Sequence, residues 1–199
     1  WRWLGPLLVV AALLPVYLST MSHTVGQADT FEFQVVAPQL GIAHPTGYPL
    51  YLLLGKLFSL VPLGSVAWRI NMGTAVLATI ALIFFFKFLW ELWGEAETAV
   101  LGAVVMGLTS TLWSQAIAAE VYALHALVVC VALWLLTPTL TLPLGGLGNS
   151  LPLPPRERAG VRVNLLLLAF VIGLGLTNHL TTVFLLPPAV LALLLLLWE

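Results

Sequence analysis

The sequence predicts an all-α, polytopic transmembrane helix bundle of about six spans, with interfacial helices in a long first extracytoplasmic loop. Composition is the first reason: 61% of the 199 residues are hydrophobic, and only 8% are Asp, Glu, Lys or Arg. Soluble domains are about 25% charged, and fifteen charged residues are too few to cover a water-soluble surface of this size. The composition therefore excludes a soluble enzyme, a disordered tail and a basic nucleic-acid-binding protein.

The second reason is a series of apolar stretches, since a spanning helix takes about 20 mainly apolar residues. The candidate spans are residues 3–18, 66–89, 99–112, 121–136, 165–176 and 182–198. The third and fifth reach a sufficient length only with their uncharged flanks. The first follows Arg2, as in a signal peptide, but no convincing cleavage site comes after it, so we interpret it as an uncleaved anchor. We expect 1–199 to be a single transmembrane domain, and an incomplete N-terminal part of a longer protein.

Two long connections separate these spans. Residues 20–65 contain an apolar run at 50–61 that is too short to span and carries Lys56, so we predict an interfacial helix there. Residues 138–164 contain five prolines and a glycine cluster, so we predict a flexible cytoplasmic linker without helix. The glycine cluster follows no predicted strand and lacks the Lys-Ser/Thr of a phosphate-binding loop.

The basic residues near the span ends predict the orientation, because they concentrate on the cytoplasmic side. With a cytoplasmic N-terminus, two of them lie outside, Lys56 and Arg69. Five lie inside: Arg2, Lys87, Arg156, Arg158 and Arg162. The C-terminus is then also cytoplasmic. All four histidines, with Asp29, Glu32 and Glu120, lie on or near the outer face, which is where we expect the chemistry.

Asp29 and Glu32 are the first candidates for that chemistry. Three residues apart on a helix, they share one face and could act together on a substrate. The alternative is a capping box, with Asp29 as the N-cap and Glu32 at the third helical position. The pattern alone does not decide between the two.

The turn that follows holds two more candidates, His44 and Tyr48. Pro45, Gly47 and Pro49 alternate along it and predict a tight, rigid turn, with Pro49 in the first turn of the next helix. Such a turn could hold His44 and Tyr48 against a polar headgroup at the membrane surface. A plain connector between interfacial helices is the more common meaning of this pattern.

Arg69 and Asn71 lie at the outer end of the second span. The guanidinium of Arg69 suits a phosphate, which it can bind through two parallel hydrogen bonds. The alternative is a side chain that extends along the apolar surface to reach water.

The later spans bring further polar groups to the same side. Glu120 precedes the fourth span, and Tyr122 and His125 share a face of it. His125 lies at membrane depth, where an ionisable group is a functional candidate, although a buried, hydrogen-bonded histidine is the alternative. Asn178 and His179 form the outer turn between the fifth and sixth spans, for which a plain loop is the alternative. The single cysteine lies in an apolar run, and no residue spacing predicts a metal site.

Five segments carry a resemblance to a known family. An acidic pair after the first span, then Gly-Ile-Ala-His-Pro-Thr-Gly-Tyr-Pro-Leu-Tyr at 41–51 and Ala-Trp-Arg-Ile-Asn at 67–71, resembles the multi-pass glycosyltransferases of the GT-C superfamily. The nearest resemblance is to a bacterial family, formerly labelled a domain of unknown function, that is similar to protein O-mannosyltransferases. Segments 113–125 and 173–181 also fit it. The family usually has Gly where this chain has Phe31, and Pro where it has Thr46, and neither change removes a reactive group.

The resemblance implies an enzyme of the cell (inner) membrane that transfers a mannose-like sugar from a polyprenyl- or dolichyl-phosphate donor. Transfer would occur on the extracytoplasmic face, to a hydroxyl of a protein, lipid or glycan. Asp29 matches the general base of the family, with Glu32 as a second catalytic carboxylate. The donor phosphate would be bound by His44, Tyr48, Arg69 and Asn71. The acceptor or pocket residues would be Glu120, Tyr122, His125, Asn178 and His179. The resemblance also allows a divalent cation, bound through Glu32 and Glu120.

Two other functions fit the composition. A transporter or lipid carrier would line a pathway with Arg69, Glu120 and His125, and it would have broken helices with charges near the middle of the membrane. Here most charges lie at the span ends instead. A non-catalytic membrane subunit would tolerate replacement of all the candidate residues.

Overall fold

A computed structural model describes the backbone of residues 1–146 and 155–198, and their side chains except at 139–146, 155–159, 161–162 and 195–198. The regular secondary structure of this part of the chain is all helical, without strands, as the sequence predicted. The helices are α1 (Leu4–Thr20), α2 (Ala28–Gln39), α3 (Pro49–Ser59), α4 (Val66–Trp93), α5 (Ala96–Gly107), α6 (Ser110–Ala116), α7 (Val121–Gly146), α8 (Pro155–Leu176), a 3₁₀ helix (Leu180–Leu185) and α9 (Leu186–Trp198).

The centre of the bundle is the pair α4 and α7, which pack along each other more extensively than any other described pair. Within the described residues, α4 and the Val121–Pro138 part of α7 are long and apolar enough to cross a membrane. Helices α5 and α6 become a third candidate only if they form one span bent by 70°. The predicted number of about six spans is therefore not confirmed, because the other apolar helices are described over only 10–17 residues.

Small residues let α1 approach its neighbours closely, as in many membrane helix pairs. A Cβ added at Gly5 would lie 2.2 Å from the Phe86 ring, and one at Gly107 would lie 2.6 Å from Leu13. The buried Tyr17 hydroxyl donates to the carbonyl of Gly107 at 2.7 Å. Helix α1 is thus fixed against both α4 and α5.

The long first loop folds onto the outer end of α4. The predicted helix at 50–61 is confirmed as α3, with Pro49 in its first turn. Helices α2 and α3 share a core with α4 in which Phe33, Tyr51 and Ile70 are almost fully buried. The Phe33 ring meets Tyr51 edge-on, with centroids 5.0 Å apart. The loop is therefore a packed layer that can position side chains.

The prediction that residues 138–164 contain no helix is wrong at both ends. Helix α7 continues to Gly146, and α8 begins at Pro155. Pro155 is the first residue of its helix, where a proline loses no hydrogen bond. Pro138 removes one bond from α7, which a long membrane helix tolerates when its neighbours support it. Residues 147–154 of the predicted linker lie outside the described residues.

Candidate active site

Helix α2 carries the first two predicted site residues on one face. The helix begins at Ala28, and its N-cap is Gln27, whose side chain makes no capping hydrogen bond. The alternative that Asp29 caps the helix is therefore wrong, because Asp29 already lies within the first turn. Asp29 is exposed and Glu32 is partly buried. Their carboxylates near the helix N-terminus are favoured by its dipole.

The turn between α2 and α3 brings His44 back to Glu32. Leu40 ends α2 with a left-handed backbone (φ 52°), and Tyr48 enters α3 in the same region (φ 46°). The His44 backbone N–H donates to Glu32 Oε1 at 2.8 Å, and its Nδ1 lies 2.6 Å from Oε2. Its Nε2 lies 3.3 Å from the Tyr48 hydroxyl. The predicted pair His44 and Tyr48 is thus joined to Glu32 in one hydrogen-bonded group.

This contact stabilises the charged forms of both partners. The hydrogen bond from His44 lowers the pKa of Glu32. The same bond, with the negative charges of Glu32, Asp29 and Glu120, raises the pKa of His44. The two side chains are 31% and 36% exposed, so solvent screens the pair. The pair is ionised between these two pKa values, and it is lost when the pH passes either one.

Glu120 joins the same site from a distant part of the chain. It lies just before α7, and its Oε1 accepts a hydrogen bond from the Thr30 hydroxyl at 2.9 Å. Burial raises the pKa of Glu120, and the charge of Asp29 raises it further. We call Asp29, Thr30, Glu32, His44 and Glu120 the acidic site. Thr30 was not predicted as a site residue, because a threonine in a helix is common without such a role.

Three members of the acidic site could also hold a cation. Asp29, Glu32 and His44 each offer one ligand atom, and these atoms lie within 4.8 Å of one another. Carboxylate oxygens suit hard divalent ions, and a neutral imidazole suits transition metals. The proton that His44 shares with Glu32 would have to leave first, so metal binding would be favoured at higher pH.

The structure gives the predicted donor residues Arg69 and Asn71 internal partners. The Arg69 guanidinium donates to the carbonyls of Ser59, Leu63 and Gly64 at 2.7, 2.8 and 3.0 Å. It therefore holds together the connection between α3 and α4. We find no hydrogen bond from Arg69 to the described residues of the acidic site.

Asn71 is fully buried and fixes the segment before α2. Its amide donates to the carbonyl of Ser22 at 2.9 Å, and its oxygen accepts from Gln34 at 2.9 Å. Gln34 in turn accepts from the backbone of Gly26. Sequence reasoning missed Gln34, although a glutamine inside the apolar run of α2 was a signal for a buried hydrogen bond.

The remaining predicted residues form a second group at the same end of α7. His125 Nε2 and His179 Nδ1 lie 3.0 and 2.7 Å from the hydroxyl of Thr181, and the two rings are 5.0 Å apart. The Tyr122 ring lies 5.5 Å from that of His179. The buried Asn178 donates to the carbonyl of Val121 at 3.2 Å, which ties this turn to the start of α7.

Tyr122 also lines a cavity beside the bend between α5 and α6. The cavity has a volume of about 440 Å³ and is lined by Met106, Thr109, Thr111, Leu112, Gln115 and Tyr122. We call Tyr122, His125, His179 and Thr181 the histidine cluster. Among the described side chains, no hydrogen bond joins it directly to the acidic site. Both lie at the start of α7, because Glu120 directly precedes that helix.

Comparison with known proteins gives the family. The family described as Protein O-mannosyl-transferase TMEM260 N-terminal domain matches residues 29–198. Over 126 residues the chain is 35% identical to protein O-mannosyl-transferase TMEM260 of Mus musculus, covering 63% of this chain and 18% of that protein. Over 123 residues it is 32% identical to protein O-mannosyl-transferase tmem260 of Dictyostelium discoideum, covering 60% of this chain and 15% of that protein.

The chain corresponds to only a small part of these relatives. The chain spans less than a fifth of the length of either one. No solved structure matches it. The family match begins at Asp29 and takes in both the acidic site and the histidine cluster. The chain therefore belongs to the family of the protein O-mannosyl-transferase TMEM260 N-terminal domain.

Proposed function

We propose that this chain carries catalytic residues of a membrane glycosyltransferase that moves a mannose-like sugar from a polyprenyl- or dolichyl-phosphate donor to a hydroxyl of an acceptor, here a protein. The family is named for protein O-mannosyl-transfer, and the apolar helices fit a membrane enzyme. The observation that carries the proposal is the acidic site, where three carboxylates and a histidine converge from two distant segments. A structural helix bundle has no need of such a group.

Asp29 is the proposed general base. A displacement at the sugar carbon needs a carboxylate that takes the proton of the acceptor hydroxyl on the face opposite the leaving phosphate. Asp29 is exposed, and within the described residues no hydrogen bond occupies its carboxylate. Glu32 is engaged by His44 and Glu120 by Thr30. Asp29 is thus the carboxylate best placed to accept a proton.

The neighbours of Asp29 have supporting roles in this proposal. His44 brings a positive charge that offsets the carboxylates, and the Tyr48 hydroxyl lies beside its Nε2 and helps to hold the ring in place. Glu120, whose pKa is raised, can keep a proton and donate a hydrogen bond to the acceptor. Arg69 and Asn71 instead keep the loop in place. The site would face the extracytoplasmic side of the cell (inner) membrane in a multi-pass protein with a cytoplasmic N-terminus.

The test is the donor requirement of the full-length protein in lipid nanodiscs. Polyprenyl-phosphate mannose and a nucleotide-linked mannose would each be offered with a protein acceptor, and labelled sugar on the acceptor would be measured. We expect transfer from the lipid-linked donor alone. Transfer from the nucleotide sugar alone, or from neither donor, would contradict the proposal.

One feature favours a second candidate, a transporter or lipid carrier. The 70° bend between α5 and α6 is the kind of broken helix that lines transport sites. This candidate predicts uptake of a lipid or sugar into proteoliposomes without any sugar transfer. Transfer without uptake would exclude it.

A further inference from the structure

We propose that the histidine cluster binds the phosphoryl group of a polyprenyl phosphate, with the first part of its chain in the cavity beside Met106 and Leu112. This inference rests on the proposed function, since it names where the lipid-phosphate part of the donor lies. The residues concerned are Tyr122, His125, His179 and Thr181.

The hydrogen bonds of the cluster run in one direction. The backbone N–H of Thr181 can only donate, and it points to His179 Nδ1 at 3.3 Å. This nitrogen is therefore an acceptor, and the proton of the neutral ring is on Nε2. The Thr181 hydroxyl, 2.7 Å from the same Nδ1, also donates to it and accepts from His125 Nε2 at 3.0 Å. The chain of donors thus ends at the N–H of His179 Nε2.

That terminal N–H is offered to a ligand. His179 is partly exposed, and no described residue accepts a hydrogen bond from its Nε2. The neighbouring Tyr122 is 48% exposed and has a phenolic hydroxyl of its own. Two donors side by side, the Nε2–H of His179 and the hydroxyl of Tyr122, match the oxygens of a phosphate.

The cluster has no carboxylate within it. Among the described side chains, the one ion pair is that of His44 with Glu32, at 2.6 Å. Among the described residues, the hydrogen-bond partners of His125 and His179 are the hydroxyls of Thr181 and Thr182 and the backbone N–H of Thr181. The cluster therefore favours an anion, whereas the acidic site would repel one.

The cavity identifies the rest of the ligand. Tyr122 is both a member of the cluster and part of the cavity wall, so the cluster borders the cavity. Met106 and Leu112 give the cavity an apolar lining, beside the polar side chains of the other lining residues. A phosphate with an apolar tail satisfies both parts, and free phosphate satisfies only the first.

The position of the cluster agrees with the proposed reaction. Tyr122 and His125 lie in the first two turns of α7, about 4.5 Å apart along its axis. Glu120 of the acidic site directly precedes this helix. A donor with its phosphate at the histidines therefore has its sugar at the same end of the bundle as the carboxylates.

Binding to the full-length protein in nanodiscs tests the inference with three probes. These are farnesyl phosphate, farnesol and inorganic phosphate.

The main variant is His179→Asp, because Asp can still accept the hydrogen bond that caps the 3₁₀ helix but repels an anion. We expect this variant to weaken the binding of farnesyl phosphate and of inorganic phosphate at least about tenfold and to leave the binding of farnesol unchanged. Tyr122→Phe should weaken the binding of both phosphates by a smaller factor. The matched control is His23→Asp, at an exposed histidine outside the cluster.

The outcomes separate the sources of the phosphoryl group. Farnesyl phosphate that binds more tightly than the other two probes supports the whole inference. If farnesyl phosphate and inorganic phosphate bind equally well, the placement of the lipid tail in the cavity is wrong. Wild-type affinity for farnesyl phosphate in both His179→Asp and Tyr122→Phe would overturn the inference entirely. If binding depends on His179 but no lipid-linked sugar is ever transferred, the proposed function fails and this inference stands.

Discussion

Glu32 and His44 hold each other in the charged form at the edge of the acidic site, and each can be tested through the other. We expect Glu32→Gln to lower the pKa of His44, because the hydrogen bond and the charge that raise it are removed. The ion pair itself is lost as the pH rises through the raised pKa of His44, or falls through the lowered pKa of Glu32. The measurement is an NMR titration of the imidazole signals.

The matched control is Glu97→Gln, at an exposed acid outside the acidic site. It should leave the titration of His44 as it is in the wild type. A His44 titration that Glu32→Gln leaves unchanged would show that the pair does not form.

Thr30 sets the protonation of Glu120 by its hydrogen bond. We expect Thr30→Val to raise the pKa of Glu120 further, because the bond from Thr30 is what lowers it against the effect of burial. Infrared absorption of the protonated carboxyl, followed against pH, reports this directly. The matched control is Thr98→Val, which breaks the same kind of bond, to Glu95, at an exposed position. If Thr30→Val changes the carboxyl absorption no more than Thr98→Val does, the hydrogen bond between Thr30 and Glu120 does not have this role.

Some contacts of single residues were predictable from the sequence, and others were not. The shared face of Asp29 and Glu32 was predictable, because helical spacing alone determines it. The contact between Thr30 and Glu120 was not, since it joins residues 90 positions apart through the packing of two helices. Arg69 could not be assigned from its type, because a guanidinium that binds phosphate binds backbone carbonyls equally well.

At the scale of elements, the acidic site depends on the hydrogen bonds that fix α2 against α4. We expect Asn71→Leu to lower the free energy of unfolding by about 2–4 kcal/mol, since Gln34 and the Ser22 carbonyl would each lose a buried partner. Thermal unfolding in detergent measures it. The control is Thr79→Val on the same helix, which removes only a bond to the carbonyl of Ala75. A loss no larger than that of the control would contradict this role of Asn71.

Element boundaries were predictable where a local signal exists. Helix α4 begins at the predicted residue, because Ser65 accepts a hydrogen bond from Trp68 and caps it. The end of α7 was not predictable from Pro138, since packing in a bundle outweighs the cost of one lost backbone bond. The bend between α5 and α6 has a local cause as well, because the Thr109 side chain caps a new helix there.

At the scale of the whole molecule, the orientation in the membrane decides from which side a donor can reach the acidic site. We expect a cysteine at Val25, in the exposed outer loop, to react with a membrane-impermeant maleimide in intact cells. A cysteine at Glu97, in the predicted cytoplasmic turn, should react only after permeabilisation. Both would be made in a background in which Cys130, the one cysteine of these 199 residues, is replaced by alanine. The reverse pattern of labelling would contradict the predicted orientation.

The class of the molecule was predictable from composition, and the number of spans was not. Few charges and many apolar residues suffice to predict helices in a membrane. Counting spans requires knowing whether helices such as α5 and α6 continue through a bend, and that depends on neighbouring helices. The polar residues predicted on one face divide into the acidic site and the histidine cluster, which both lie at the start of α7.

The central claim is that Asp29 is the general base of sugar transfer, and the most direct measurement is the transfer rate of Asp29→Asn in the full-length protein. We expect a loss of at least about 100-fold with a lipid-linked mannose donor, with membrane insertion and thermal stability unchanged. The control is Glu97→Gln, an exposed acid outside the acidic site, which should keep full activity. Equal activity of Asp29→Asn and Glu97→Gln would contradict the claim.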